Sequence, residues 1–208
     1  MPDIKLIAFD LEGVLVDGCG SWTEVHKGLD TVKEADANAR EYYDGKITFN
    51  EWAQRDVKLW EGIHIEKICK ILNKIKLMKG ASYAIPKLKR KYKLVIISGG
   101  LDILVNRIRD KLYMDYALAN ELIVKNNKVA GIKTTVDFYG KGYLLRKIAN
   151  DFGMSPKECA SVGDYLNDVP MFEASGFSVA FNPKHQAVVD SADEVVYGKD
   201  LRKILEFF

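Results

Sequence analysis

Five short apolar runs constrain the fold of this chain more than any other feature. Ile4–Phe9, Leu94–Ser98, Ala160–Gly163, Phe177–Phe181 and Glu194–Tyr197 are four to six residues long and rich in Val, Ile or Phe. Runs of this length and character read as strands buried on both faces. Helix-period segments lie between several of them: Ala81–Tyr92, Asp102–Leu112, Lys141–Phe152 and Asn167–Ala174. Strands alternating with helices predict an α/β fold, with helices covering both faces of a doubly wound, mainly parallel sheet.

Asp17–Lys79 breaks that pattern. It has almost no strand signal and reads as three or four amphipathic helices, with an extended break near Gly45–Phe49 and a connector at Gly62–His64. The expected organisation is a core of residues 1–16 and 80–208, with a small helical bundle, residues 17–79, inserted after the first strand as a cap. Glu121–Ile132 predicts a β-hairpin turning at Asn126-Asn127, because Asn tolerates the positive φ of a tight turn.

Composition narrows the field of functions. The 208 residues suffice for one sizeable core and a small second module. The 31 basic and 29 acidic residues leave a net charge of +2, which makes no electrostatic case for nucleic acid or an anionic membrane. Cys19, Cys69 and Cys159 resemble neither a disulfide framework nor a zinc site, so a reducing, cytoplasmic setting is expected. The N-terminus lacks a basic segment followed by an apolar stretch, and no apolar run approaches the ~18 residues of a span. Neither a signal peptide nor a membrane helix is expected.

In an open parallel sheet, ligands bind outside the carboxyl ends of the strands. Four polar groups fall at such ends here. Asp10 and Glu12 follow the first run, and on an extended strand positions i and i+2 share a face. Ser98-Gly99-Gly100 closes the second, where a hydroxyl beside glycine N–H groups suits a phosphate. Lys141, between Gly140 and Gly142, opens a helix where anions are ordinarily favoured, which suggests an anionic partner. Gly163–Asp168, reading GDYLND, follows the third and sets Asp164 and Asp168 four apart, which suits a hard cation with oxygen ligands. Each group alone has an ordinary reading: a solvated acid, a strand-to-helix turn, a solvated lysine, an N-cap from Asp164 or Asn167. Their occurrence together, in this order, is what points to phosphate chemistry.

These stretches, DLEGVLVD, VIISGGL, KG with its helix, SVGDYLNDVPMF and then SGFSVAFNPK, resemble the haloacid dehalogenase-like hydrolase superfamily, specifically its phosphoserine phosphatase-like branch. The resemblance covers nearly the whole chain. It implies a Rossmann-like core with a cap inserted between the first and second motifs. It also implies a Mg²⁺-dependent phosphatase that hydrolyses a small-molecule phosphate monoester through an aspartyl-phosphate. Asp10 would be the nucleophile and Glu12 the general acid and base. Ser98, Gly99, Lys141 and Asn167 would bind the phosphoryl oxygens. Asp10, the Glu12 backbone carbonyl, Asp164 and Asp168 would hold Mg²⁺ or position its waters. The implied partner is a small phosphate ester, with neither nucleic acid nor membrane, for a monomer or homodimer.

The family's second acid is usually Asp. Glu12 keeps a similar reference pKa, roughly 4.3 against 3.9, but carries its carboxylate about 1.5 Å further out, where placement matters. The D-x-E-G motif is similar to those of the enolase-phosphatase type and of the phosphoserine:homoserine phosphotransferase. The latter keeps open a transfer of the phosphoryl group to an alcohol acceptor. A non-catalytic module that binds a phosphorylated metabolite is the reading from another class, and the complete set of nucleophile, acid and metal acids speaks against it.

The cap departs from the branch. There an Arg and a Glu are expected to read the carboxylate and amino groups of phosphoserine. Here the Arg position falls at Asp56, with Arg55 one residue earlier, and the Glu position falls near Cys19 or Gly20, with Glu24 several residues late. A substrate other than phosphoserine is therefore expected. Trp22, Trp52 and Trp60 all lie in this segment. They either fill the core of the bundle, or one faces the site and favours an apolar or ring-bearing leaving group. His26, His64 and His185 read as surface or packing residues.

Overall fold

The computed structural model describes residues 3–208; Met1 and Pro2 of the expected core lie outside the described residues. In chain order the elements are β1 (Leu6–Phe9), β2 (Val16–Asp17), α1 (Ser21–Leu29), α2 (Val32–Tyr43), α3 (Phe49–Lys58), α4 (Ile65–Leu72) and β3 (Lys76–Leu77). Then follow α5 (Ala81–Leu88), β4 (Lys93–Leu101), α6 (Asp102–Leu112), β5 (Tyr116–Lys125), β6 (Lys128–Lys133) and α7 (Lys141–Asp151). After these come β7 (Cys159–Gly163), α8 (Val169–Ala174), β8 (Phe177–Phe181), α9 (Gln186–Ser191) and β9 (Glu194–Val196), followed by a 3₁₀ helix at Leu201–Phe207. Among the described residues, no helix is long and apolar enough to cross a membrane.

Seven strands form one sheet in the order β6-β5-β4-β1-β7-β8-β9. Every pairing in it is parallel except that of β5 with β6. The alternation of side chains along β1 and β4 divides the core in two. Ile7, Phe9, Leu94 and Ile96 face one layer with α5 and α6, while Leu6, Ala8, Val95 and Ile97 face the other with α7 and α8. Phe9 stands opposite both Ile96 and Val162, so the loops after β1, β4 and β7 emerge side by side. That is where a parallel sheet places its ligand.

The hairpin turns at Asn126 and Asn127, with φ of 50 and 59. Its first strand is longer than Glu121 onward predicts. The stretch Tyr116–Asn120 first runs parallel to β4, with the register shifting between Ile97 and Leu101, and the irregularity takes up Ser98-Gly99-Gly100. The helix expected over Asn167–Ala174 begins only at Val169, after a 3₁₀ turn at Leu166–Asp168. Pro170 has no N–H to give and fits best in a first helical turn.

Helices α1–α4 lie between β2 and β3, which pair antiparallel as a ribbon through Val16↔Leu77 and Asp17↔Lys76. Thr48 starts α3 with a reciprocal capping box to Glu51. Val25, Val57, Trp60, Ile68 and Leu72 are buried beneath these helices.

Candidate active site

β1 stops at Phe9, and the chain then turns back on itself. The Leu11 carbonyl accepts N–H groups from Leu15 and Val16 at 2.8 and 2.9 Å, and Gly13 N–H donates to the Val16 carbonyl at 3.0 Å. Gly13 takes φ of +88, the left-handed region that suits glycine. This corrects the strand argument for Asp10 and Glu12: a turn, not the period of an extended strand, brings both to the same place. Both line a cavity of about 430 Å³ between the end of the sheet and the cap, together with Gly99, Asp164 and Asn167 from the core.

A buried charge cluster underlies this cavity. Lys141 Nζ, with no exposed surface, lies 2.8 Å from Asp10 Oδ1 and 2.7 Å from Asp168 Oδ1. Asp168 Oδ2 accepts the backbone N–H groups of Asp164 and Tyr165 at 2.9 and 3.1 Å. Both carboxylate oxygens of Asp164 are buried with no hydrogen-bond donor. Lys184 Nζ forms an ion pair with Oδ2 at 2.5 Å, outside hydrogen-bonding geometry.

The electrostatics follow from this crowding. Burial raises the Asp10 carboxyl well above the ordinary range, the Asp168 and Asp164 charges add to the effect, and Lys141 opposes it. Burial likewise pushes Asp164 up to about 6, with Asp168 adding and Lys184 and Lys141 opposing. Burial disfavours the Lys141 charge, yet the carboxylates of Asp10 and Asp168 on either side hold it above the usual lysine value. The cluster is short of positive charge. Asp10, Asp164 and Asp168 each offer an oxygen, all within 4.8 Å of one another, and such a hard-oxygen donor set fits a divalent cation. Oδ1 of Asp164, buried without a donor, is the oxygen most in need of it. A Cβ at Gly13 would fall 2.1 Å from Asp164 Oδ2, so only glycine lets the first loop come this close.

Glu12 is held separately. Its Oε1 accepts from Ser21 N–H at 2.5 Å and from the Ser21 hydroxyl at 2.6 Å, at the N-terminus of α1, where a negative charge is favoured. The Ser21 hydroxyl in turn accepts Leu101 N–H at 3.0 Å. A Cβ at Gly100 would lie 2.7 Å from Glu12 Oε1, and one at Gly20 would lie 2.9 Å from Oε2. The longer acid is lodged in room that two glycines leave.

The remaining predicted residues divide into those on the cavity and those behind it. Gly99 and Asn167 line it, and Asn167 Oδ1 is buried without a partner. Ser98 is fully buried, its Oγ accepting Gly100 N–H at 3.0 Å. Lys141 and Asp168 pack beneath the acids. Sequence reasoning missed Asn120 on β5, which donates to the carbonyls of Gly99 and Val136 at 2.9 and 3.0 Å. The same side chain accepts from Thr135 and Val136 N–H at 2.7 and 2.9 Å, and so ties the Ser98 loop to the segment before Lys141. It also missed Ser21 and assigned no role to Lys184, although FNPK stood in a motif.

The cap wall answers the question of the tryptophans. Trp60 is buried in the bundle, whereas Trp22 and Trp52 line the cavity beside Tyr43, Phe49 and Asp56. Trp22 Nε1 donates to the Gly99 carbonyl at 3.0 Å. Arg55 faces away, exposed and paired with Glu41 at 2.7 Å. Cys19 and Gly20 line the cavity, while Glu24 pairs with Lys27 at 3.1 Å. His26 is a packing residue, its ring 4.7 Å from that of Trp60.

The model of the haloacid dehalogenase-like hydrolases matches residues 4–176. The phosphoserine phosphatase of Methanocaldococcus jannaschii is 35% identical over 206 residues, covering 98% of this chain and 97% of that one. The solved structure of a phospho-aspartyl intermediate analogue of phosphoserine phosphatase superposes with a TM-score of 0.85 at 35% identity, over 99% of each chain. A substrate-bound phosphoserine phosphatase complex does so with the same score and identity, over 99% of this chain and 98% of that one. The chain belongs to the haloacid dehalogenase-like hydrolases, in their phosphoserine phosphatase-like branch, and is a phosphoric monoester hydrolase that works through an aspartyl-phosphate.

Proposed function

We propose that Asp10 is the nucleophile and Glu12 the general acid and base of a Mg²⁺-dependent phosphatase acting on a small phosphate monoester other than phosphoserine. What carries the reading is the contact of one buried ammonium, Lys141, with both Asp10 and Asp168, next to the buried Oδ1 of Asp164, which has no donor. Asp10, the Glu12 carbonyl and Asp164 would hold Mg²⁺, with Asp168 orienting the Asp164 backbone. The ion supplies the charge neutralisation that lets a carboxylate approach a phosphate dianion.

Lys141 fixes Oδ1 of Asp10 and favours its ionised form, leaving Oδ2 to attack phosphorus. The bond from phosphorus to the leaving oxygen breaks, and Oε2 of Glu12, the oxygen not committed to Ser21, delivers a proton to that oxygen. The same oxygen then takes a proton from the water that attacks the aspartyl-phosphate. The bond between phosphorus and Asp10 breaks, and inorganic phosphate leaves. Gly99 N–H and the Asn167 amide bind the phosphoryl oxygens throughout, while Ser98 Oγ holds the Gly100 N–H behind them.

The division of labour we propose gives this chemistry to residues 1–16 and 80–208 and the selection of the leaving group to residues 17–79. The setting is cytoplasmic, in keeping with three unpaired cysteines, and the working unit is a monomer or homodimer. Phosphate release from a panel of small esters, with and without Mg²⁺ and with Asp10→Asn as control, tests the reading. Release that needs both Mg²⁺ and Asp10 is expected. Release indifferent to either, or seen only as transfer to an added alcohol, overturns it.

A further inference from the structure

We infer, resting on the phosphatase reading above, that the leaving group this site selects carries a cationic nitrogen and no carboxylate: the substrate is the phosphate monoester of an amino alcohol. The part of the cavity beyond Glu12 has walls of two kinds. Trp22, Phe49 and Trp52 form the cap side, and Phe138 and Tyr165 stand on the core side. The rings are held by one another: Trp52 stacks on Tyr42 with centroids 4.7 Å apart and meets Phe49 edge-on at 6.0 Å. Among the described residues, the one charged side chain that the cap contributes to this lining is Asp56.

Asp56 is built into place. It is 4% exposed, its Oδ1 accepts Asn38 Nδ2 at 2.7 Å, and its Oδ2 lies 3.3 Å from His26 Nε2. Trp60 Nε1, which can only donate, points at His26 Nδ1 from 3.3 Å, and Thr31 Oγ1 lies 2.8 Å from the same atom. Nδ1 is therefore the accepting nitrogen and Nε2 carries the ring proton, 3.3 Å from Asp56 Oδ2 but outside hydrogen-bonding geometry. The grouping of Trp60, His26, Asp56 and Asn38 thus presents a carboxylate to the cavity with one donated hydrogen bond, from Asn38, a neutral imidazole beside it, and no lysine or arginine. Burying a carboxylate without a counter-charge is unfavourable, and a cation entering with the substrate supplies one.

The aromatic walls point the same way. An ammonium or quaternary ammonium enclosed by indole and phenyl rings gains cation–π attraction. The other acid at this end, Asp137, is exposed on the rim, and the lining lysine, Lys184, is occupied by Asp164. A leaving group bearing a carboxylate meets Asp56 with nothing to neutralise it. A neutral one leaves Asp56 unpaired.

The test compares steady-state kinetics of the Mg²⁺-loaded enzyme on phosphocholine, on its neutral isostere with a quaternary carbon in place of nitrogen, on phosphoethanolamine and on phosphoserine. Acetyl phosphate serves as the reference for basal turnover. We expect kcat/KM for phosphocholine to exceed that of the isostere by at least about tenfold, mainly through KM, and phosphoethanolamine to exceed phosphoserine. In Asp56→Asn the ratio of cation to isostere falls toward one. Should that variant fail to fold, the wild-type ratios and Trp52→Leu, which should also lower the ratio, decide the matter. Turnover of acetyl phosphate with a cation-to-isostere ratio at or below one, or with phosphoserine preferred, overturns this inference alone. Absence of turnover on every ester, acetyl phosphate included, overturns the phosphatase reading and this inference with it.

Discussion

Ser21 holds Glu12 by a single oxygen, its N–H and hydroxyl standing 2.5 and 2.6 Å from Oε1. Ser21 is also the first residue of α1, so the first helix of the cap is tied directly to the acid of the core. A carboxylate with one oxygen pinned can aim the other, and placement at this scale governs proton transfer.

Glu12→Gln should lower kcat by about a hundredfold or more on alkyl phosphates. The loss should be smaller on nitrophenyl phosphate, whose leaving oxygen needs no proton. Ser21→Ala should lower kcat by about tenfold with little change in KM, since it removes one of the two donors on Glu12 without touching substrate. Equal losses on both esters for Glu12→Gln would remove the general-acid role.

Gly100→Ala puts a Cβ 2.7 Å from Glu12 Oε1 and 2.8 Å from Ser21 Oγ. We expect a folded protein, destabilised by about 1–3 kcal/mol, that resembles Ser21→Ala kinetically. Thermal melting and kinetics on the same preparation check this. Wild-type kcat would show that Glu12 has room to spare.

Lys141→Met leaves Asp10 and Asp168 buried and facing each other without their shared cation. Breaking such a network costs about 3–5 kcal/mol, read from urea unfolding near neutral pH in chelator. The deficit should shrink as pH falls and Asp10, whose pKa is raised by burial, protonates. A pH-independent deficit would mean that lost packing, not lost charge, is responsible.

Asp164 titrates near 6 when folded, against 3.8 ordinarily. A raised acid favours the metal-free fold most fully below the lower value, and that contribution is lost as pH rises through the higher one. Mg²⁺ needs the ionised form, so the gain in Tm on adding Mg²⁺ should be large near pH ~7.5 and shrink below about 6. Scanning fluorimetry with and without Mg²⁺ across this range measures it, and a constant gain would separate Asp164 from the ion.

Arg55→Ala should leave kcat/KM on every ester within about twofold of wild type, because exposed pairs such as Arg55–Glu41 contribute little. A raised KM confined to carboxylate-bearing esters would place Arg55 in the site after all.

The strands were legible because burial on both faces demands apolar residues at nearly every position, as in β1 and β8, which are buried throughout. Asn126-Asn127 was legible because positive φ narrows the choice of residue. Asp10, Glu12, Gly99, Asp164 and Asn167 were legible as residues at strand ends, and all five meet at one cavity. Asn120 was not. Its four hydrogen bonds reach Gly99, Thr135 and Val136, and no local periodicity marks an asparagine whose partners lie 15 to 21 positions away. Ser21 was hidden likewise, since its hydroxyl reaches Leu101, 80 positions away, while holding Glu12. At Asp56 the motif spacing named the position, but only the packed helix tells which of Arg55 and Asp56 looks inward.

The ribbon of β2 and β3 brings the two ends of the helical insert next to each other. A segment with neighbouring ends can be exchanged as a cassette while the strands on either side keep their places. The donor pair of Ser21 and the indole of Trp22 limit that freedom, because both engage the core at Glu12, Gly99 and Leu101. A transplanted cap would bring its own taste in leaving groups, but it would keep full turnover only if its first helix took hold of Glu12 in the same way.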